Sequence, residues 1–246
     1  MKSERTMTTV PERSFAPITA RLGFWFAILV ASLTAVTFCI SIFGTPYDVY
    51  PYPYTPRFIP IDYAWLYPAI LVAPVFVMLM ACISSYAPDE KKVFSRIGLS
   101  FAVIYASLLV LDYFTQLAVV LPSTLAGQTS GLSLFTMYNP HGLFVSLEVL
   151  GYMMLSASLL AVAPLFGAGR IQRSIRWLFI GSFVLTLGSL AALLMAGYEI
   201  VVSEVAILSI NWTVLIVSGV LLAVFFRRHV LHIQRYSERI QSVMRT

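Results

Sequence analysis

Six blocks of about 20 apolar residues constrain this chain more than any other feature of it. At 1.5 Å per residue, a helix of that length crosses a hydrocarbon layer of ~30 Å. The blocks fall at about 22–43, 63–83, 97–121, 143–166, 177–197 and 205–226. Only a helix of this size satisfies its backbone hydrogen bonds without water, and the period-two alternation of a β-barrel is absent. The composition agrees: 59% of residues are hydrophobic, 11% are charged and the mean hydropathy is +0.85. A soluble domain carries roughly 25% charged residues, and this chain cannot cover its apolar surface with polar groups. The expected fold is an all-α, polytopic bundle of six transmembrane helices.

The basic residues fix its direction. Lys2, Arg5, Arg13 and Arg21 precede the first block, Lys91, Lys92 and Arg96 follow the second, and Arg170, Arg173 and Arg176 follow the fourth. Arg227, Arg228, Arg235, Arg239 and Arg245 follow the sixth. An even number of crossings puts all of these on one side and leaves only Arg57 on the other. By the positive-inside rule both termini are cytoplasmic. Residues 1–21 form a cytoplasmic arm, 22–226 the membrane domain and 227–246 a basic tail. The net charge of +5 is a topology signal with attraction to anionic lipid, and no nucleic-acid partner is expected. The first block is too long for a signal-peptide core and reads as a retained anchor.

Several segments admit two readings. In 227–245, Val230, Ile233, Ile240 and Met244 recur at helical spacing. That pattern suits an amphipathic helix on the membrane surface, or a continuation of the sixth span into the headgroups. The proline- and tyrosine-rich loop at 46–56 supplies either an interfacial aromatic belt or the mouth of a site. The uncharged outer segment 122–142 is either interfacial or an ordered cap. Cys39 and Cys82 lie inside spans near opposite faces, too far apart for a disulfide, and read as small core residues.

Polar residues inside spans are costly and point to sites or to partners. Asp112 lies in the outer part of the third span, with Gln116 one turn further out and Tyr105 inward on the same stripe. The fourth span runs back in, carrying Glu148 and, one turn deeper, Tyr152. If that helix starts early, with Asn139 capping it and Pro140 in its first turn, His141 shares a face with Glu148. An outward-opening polar cavity of Asp112, Gln116, His141 and Glu148, bordered by Tyr105 and Tyr152, follows. The competing reading makes Asp112 and Glu148 packing residues that lock two helices together. Asp62, Glu199 and Glu204 read as wet boundary residues, and Asn211 as a helix-contact residue.

Other chemistry is disfavoured. No lysine lies inside a span to hold a retinal-type Schiff base. The three histidines, His141, His229 and His232, divide between the two faces and cannot converge on one zinc or haem. Neither a GxxxxGK[ST] loop nor an HExxH pair is present. No inverted repeat relates the two halves.

From Asp112-Tyr-Phe-Thr-Gln through Leu134-Phe-Thr-Met-Tyr-Asn-Pro-His-Gly-Leu-Phe to Glu148-Val-Leu-Gly-Tyr, the chain resembles uncharacterised multi-spanning prokaryotic membrane proteins. The resemblance implies a prokaryotic cytoplasmic membrane and carries no activity with it. Three functions compete. The first is ion-coupled transport of a small solute, with Asp112 and Glu148 exchanging protons or cations, Gln116 and His141 positioning the solute and a homodimer as corollary. The second is an enzyme acting on a lipid headgroup through the same residues. The third is a structural or accessory membrane subunit.

Overall fold

The computed structural model describes residues 17–44, 61–167, 169–195 and 200–244. These residues form helices α1 (Pro17–Gly44), α2 (Leu66–Tyr86), α3 (Lys92–Thr115), α4 (Leu121–Leu125), α5 (Leu143–Val162), α6 (Gly169–Met195) and α7 (Ile200–Met244). Among the described residues there is no strand. Six stretches are long and apolar enough to cross a membrane: Ile18–Phe43, Ile61–Tyr86, Asp89–Leu125, Leu143–Leu165, Gly169–Ala192 and Val205–Leu231. The protein is an all-α, multi-pass membrane protein. The third and fifth stretches begin earlier than the apolar blocks because Lys92, Arg96, Arg170, Arg173 and Arg176 ride on the first turns of their helices. Lys2, Arg5, Arg13, the 46–56 loop, Arg57, Glu199 and Arg245 lie outside the described residues, as do the side chains of Glu204, His232, Ile233, Arg239, Ile240 and Met244.

The basic helix ends meet at one end of the bundle. The Lys91 Nζ donates to the Pro164 carbonyl at 2.7 Å, joining the α2–α3 turn to the end of α5. The Tyr86 ring, ending α2, stands 5.1 Å from Phe225 and 5.7 Å from His229 on α7. The opposite end, toward which α1 and α3 run, carries the outer connections.

Small residues let the helices approach. Along the antiparallel pair α1 and α7, Gly23 faces Phe226, Ala27 and Ala31 face Gly219, and Phe38 packs on Trp212 at 5.5 Å. A Cβ on Gly219 would sit 2.7 Å from the Ala27 carbonyl oxygen, so the two backbones nearly touch. On α3 and α5, Ser158 Oγ donates to the Gly98 carbonyl at 2.7 Å, where a Cβ on Gly98 would sit 2.5 Å from Val162 Cγ1.

The buried stripe of α1 is Ala20, Ala27, Val30, Ala31, Thr34 and Thr37. Cys39 falls off that stripe and is exposed, while Cys82 is buried; both are free thiols. The core reading of Cys39 is therefore corrected, because helical periodicity turns it toward lipid. The sixth span also does not end where its apolar block ends. α7 is one unbroken helix of 45 residues, about 67 Å long, so its basic turns prolong the span along the same axis.

Candidate functional site

The outer half of the bundle holds a connected set of buried polar side chains. Glu148, in the second turn of α5, is fully buried. The Tyr113 hydroxyl on α3 donates to its Oε1 at 2.6 Å. Tyr113 and Tyr152 share a hydrogen bond at 3.1 Å between their hydroxyls, and the Trp212 indole N–H on α7 donates to the Tyr152 oxygen at 2.5 Å. Elementary donor logic orients this chain. An indole can only donate, so the Tyr152 oxygen accepts from Trp212 and its own proton is free to reach the Tyr113 oxygen. Tyr113 then gives its proton to the carboxylate. Three helices thus converge on one acid through a directed run of donors.

Aromatic rings enclose the run. Trp65 lies 5.5 Å from Tyr113, 5.8 Å from Trp212 and 6.4 Å from Phe144, and Tyr105 lies 6.2 Å from Tyr152. These edge-on and tilted contacts fix the rings that carry the hydroxyls and the indole. Beside them is a cavity lined by Thr34 and Thr37 of α1, Tyr105, Tyr113, Tyr152 and Trp212, with room for about one water molecule.

The residues expected to form the site divide into three groups. Glu148, Tyr152 and Tyr105 come together, as their spacing on α3 and α5 requires. Asp112 is buried one residue before Tyr113, in the same outer turn. Gln116 is buried but engaged elsewhere: its amide donates to the Phe135 carbonyl at 2.5 Å and accepts from the Met137 N–H at 3.1 Å. It lies at the start of the π turn Gln116–Val120 that precedes Pro122, and it clamps the outer connection onto α3. His141 is exposed and outside α5, which begins at Leu143. The early helix start is corrected: the Asn139 side chain accepts from the His141 N–H at 3.0 Å, closing a turn, and Gly142 in extended conformation is the N-cap. The helical stagger that would have stacked His141 over Glu148 is therefore lost.

The outer connection is an ordered cap. Asn139 Nδ2 donates to the Ser133 carbonyl at 2.7 Å, and the Tyr138 hydroxyl donates to Asp62 Oδ2 at 2.9 Å. Asp62 is fully buried beneath this cap rather than wet, which corrects the boundary reading. Tyr138→Phe is expected to destabilise the protein by about 1–3 kcal/mol, because it strips the donor from a buried carboxylate. A double-mutant cycle of Tyr138→Phe with Asp62→Leu, read by thermal unfolding, should show a coupling well above zero; additive losses would contradict it. Asn211 acts as a helix-contact residue, donating to Thr186 on α6 at 3.1 Å and to the Ile207 carbonyl at 2.8 Å.

Tyr113, Trp212, Thr34 and Thr37 had no signal in the sequence beyond being polar atoms within apolar text. Tyr113 sits one position off the Asp112–Gln116 stripe, and the other three reach the site only through long-range packing. Among the described residues there is no group of three or more His, Cys, Asp or Glu able to hold a metal ion. The chain matches no known protein-family model, no curated protein and no solved structure.

Proposed function

We propose that this protein is an ion-coupled transporter of a small solute in a prokaryotic cytoplasmic membrane, with Glu148 as the group that exchanges the coupling ion. The observation that carries the reading is a fully buried glutamate in the outer half of a six-span bundle, met by a directed hydrogen-bond run from α3, α5 and α7. Ionisable groups at such depth are expensive and belong to ion pathways more often than to packing. The hydrogen-bond run that ends at the carboxylate ties α3, α5 and α7 together, so a change in its charge acts on their mutual packing, which is what coupling requires. On this reading the cavity, which admits a water and not a solute, belongs to a closed conformation. A lipid headgroup has no room there either, which weighs against the headgroup-modifying enzyme.

The accessory-subunit reading draws on Gln116 and Asp62, both of which hold the cap. The two are separated by gradient-driven uptake. In proteoliposomes carrying a pH or cation gradient, the wild type should accumulate a solute from a screened panel, and Glu148→Gln should lose gradient-driven uptake by a factor of about 100 or more. Substrate-independent behaviour of the wild type, with Glu148→Gln equally stable and equally inert, would move the assignment to a structural role.

A further inference from the structure

Thr34 and Ser182 differ from most hydroxyl residues of the spans in having a buried oxygen with no partner among the described residues, and of the two only Thr34 lines a cavity. In these helices Thr37, Ser85, Ser100, Thr115, Thr124, Ser146 and Ser174 each donate to the carbonyl four residues earlier. This local bond is the usual way for a hydroxyl to be satisfied inside a membrane helix. Thr34 is 1% exposed, and its Oγ1 makes no such bond and has no partner among the described residues. It lines the one-water cavity, whose other walls include the two hydroxyl-bearing rings and the indole of the Glu148 run. A buried hydroxyl without a partner costs on the order of 1–3 kcal/mol, and a cavity with room for one water and several polar groups in its wall can hold a water that removes the cost.

We propose that the cavity is a single-water site, that its water joins Thr34 to the Tyr113–Tyr152 hydroxyls, and that the ion exchanged at Glu148 is therefore a proton. The inference rests on the reading of Glu148 as the ion-exchanging group. The wall favours water over a metal cation as occupant, because the cavity is lined by hydroxyls, an indole and apolar side chains and by no carboxylate. Tyr105, Tyr113 and Tyr152 are the titratable groups that face Glu148 from α3 and α5, α7 contributes the neutral Trp212, and Asp112 is buried in the neighbouring position of α3.

The transfer balances. A proton arriving on the water passes to a tyrosine oxygen as the hydroxyl proton of Tyr113 moves to Glu148. The carboxylate becomes the acid, each phenol ends with one proton and the water is unchanged.

Thr34→Val tests the water by the sign of its effect. Valine has nearly the same shape and no hydroxyl. With a bound water, Thr34→Val lowers the melting temperature of the full-length protein and Thr34→Ser leaves it within about a degree. With an unpartnered hydroxyl, Thr34→Val raises it, and that result overturns the site. The proton is tested by infrared spectroscopy after a pH jump, on protein in vesicles containing sodium, potassium or a bulky organic cation. The carboxylic-acid band that Glu148→Gln removes should appear at the same rate in all three salts and about tenfold more slowly in Thr34→Val. A band that requires sodium, or a rate indifferent to Thr34→Val, overturns the proposal. Neither readout needs a transported solute. Failure of the transport reading would appear separately, as absent gradient-driven uptake with the infrared behaviour intact.

Discussion

Gln116→Ala is expected to destabilise the protein by about 2–4 kcal/mol, more than the loss of any other hydrogen-bonding side chain in the cap. The wild-type amide pairs with the chain as a second backbone would, accepting from the buried Met137 N–H and donating to the Phe135 carbonyl. Alanine leaves both groups without a partner beneath a segment too well packed to admit water freely. Gln116→Glu keeps an acceptor for Met137 but buries a carboxylate with an oxygen set against the Phe135 carbonyl, so its loss at neutral pH should be at least as large as that of alanine. Thermal unfolding checks the order, and amide exchange at Met137 checks the cause. Equal stability of all three proteins would mean that the cap is held by other contacts. Because the cap closes the outer end above Glu148, Gln116→Ala should also speed exchange at the amides of the first turns of α5.

The second large effect comes from two kinds of glycine. Gly219→Ala is expected to cost about 1–3 kcal/mol, because the new Cβ would meet the Ala27 backbone oxygen at 2.7 Å and the Ala31 Cβ at 2.8 Å. Backbone cannot swing aside as a flexible side chain can, so α1 and α7 must separate. Gly181→Ala and Gly188→Ala on α6 make the same chemical change where nothing lies within 4 Å, and they should gain about 0.5–1 kcal/mol of helix stability. Opposite signs in unfolding measurements would confirm that the α1–α7 contact is the tight one. A loss at Gly188 equal to that at Gly219 would instead require a partner on the exposed face of α6. Separation of α1 from α7 should also reach the site, since Thr34 lies one turn beyond Ala31 and Trp212 two turns beyond Gly219.

The architecture was legible in the sequence because it follows from one local quantity, the length of each apolar block. All six blocks correspond to crossing helices. The site was legible only where helical spacing within a single span decides which side chains share a face. Glu148 with Tyr152 is such a case. Gln116 shows where that reasoning stops: its position on the face was read correctly, but a loop twenty residues away occupies its hydrogen bonds. Asp62 was misjudged for a related reason. A carboxylate at the end of a span is wet unless another segment covers it, and here Tyr138 does. His141 depended on where α5 begins, which the Asn139 turn sets later than the proline suggested. Thr34 and Trp212 carry no local signal, because their roles arise from the register between α1 and α7.

That same α7 has a mechanical consequence. Trp212, at the buried hydrogen-bond run, and residue 244, at the far tip, belong to one uninterrupted rod and are separated by about 48 Å of helix. A rod pivoting near its outer third multiplies displacement: a tilt of about 10° at Trp212 would sweep the tip through roughly 8 Å. Rearrangement of a single buried indole hydrogen bond would thereby be carried along the rod as a displacement of the far tip.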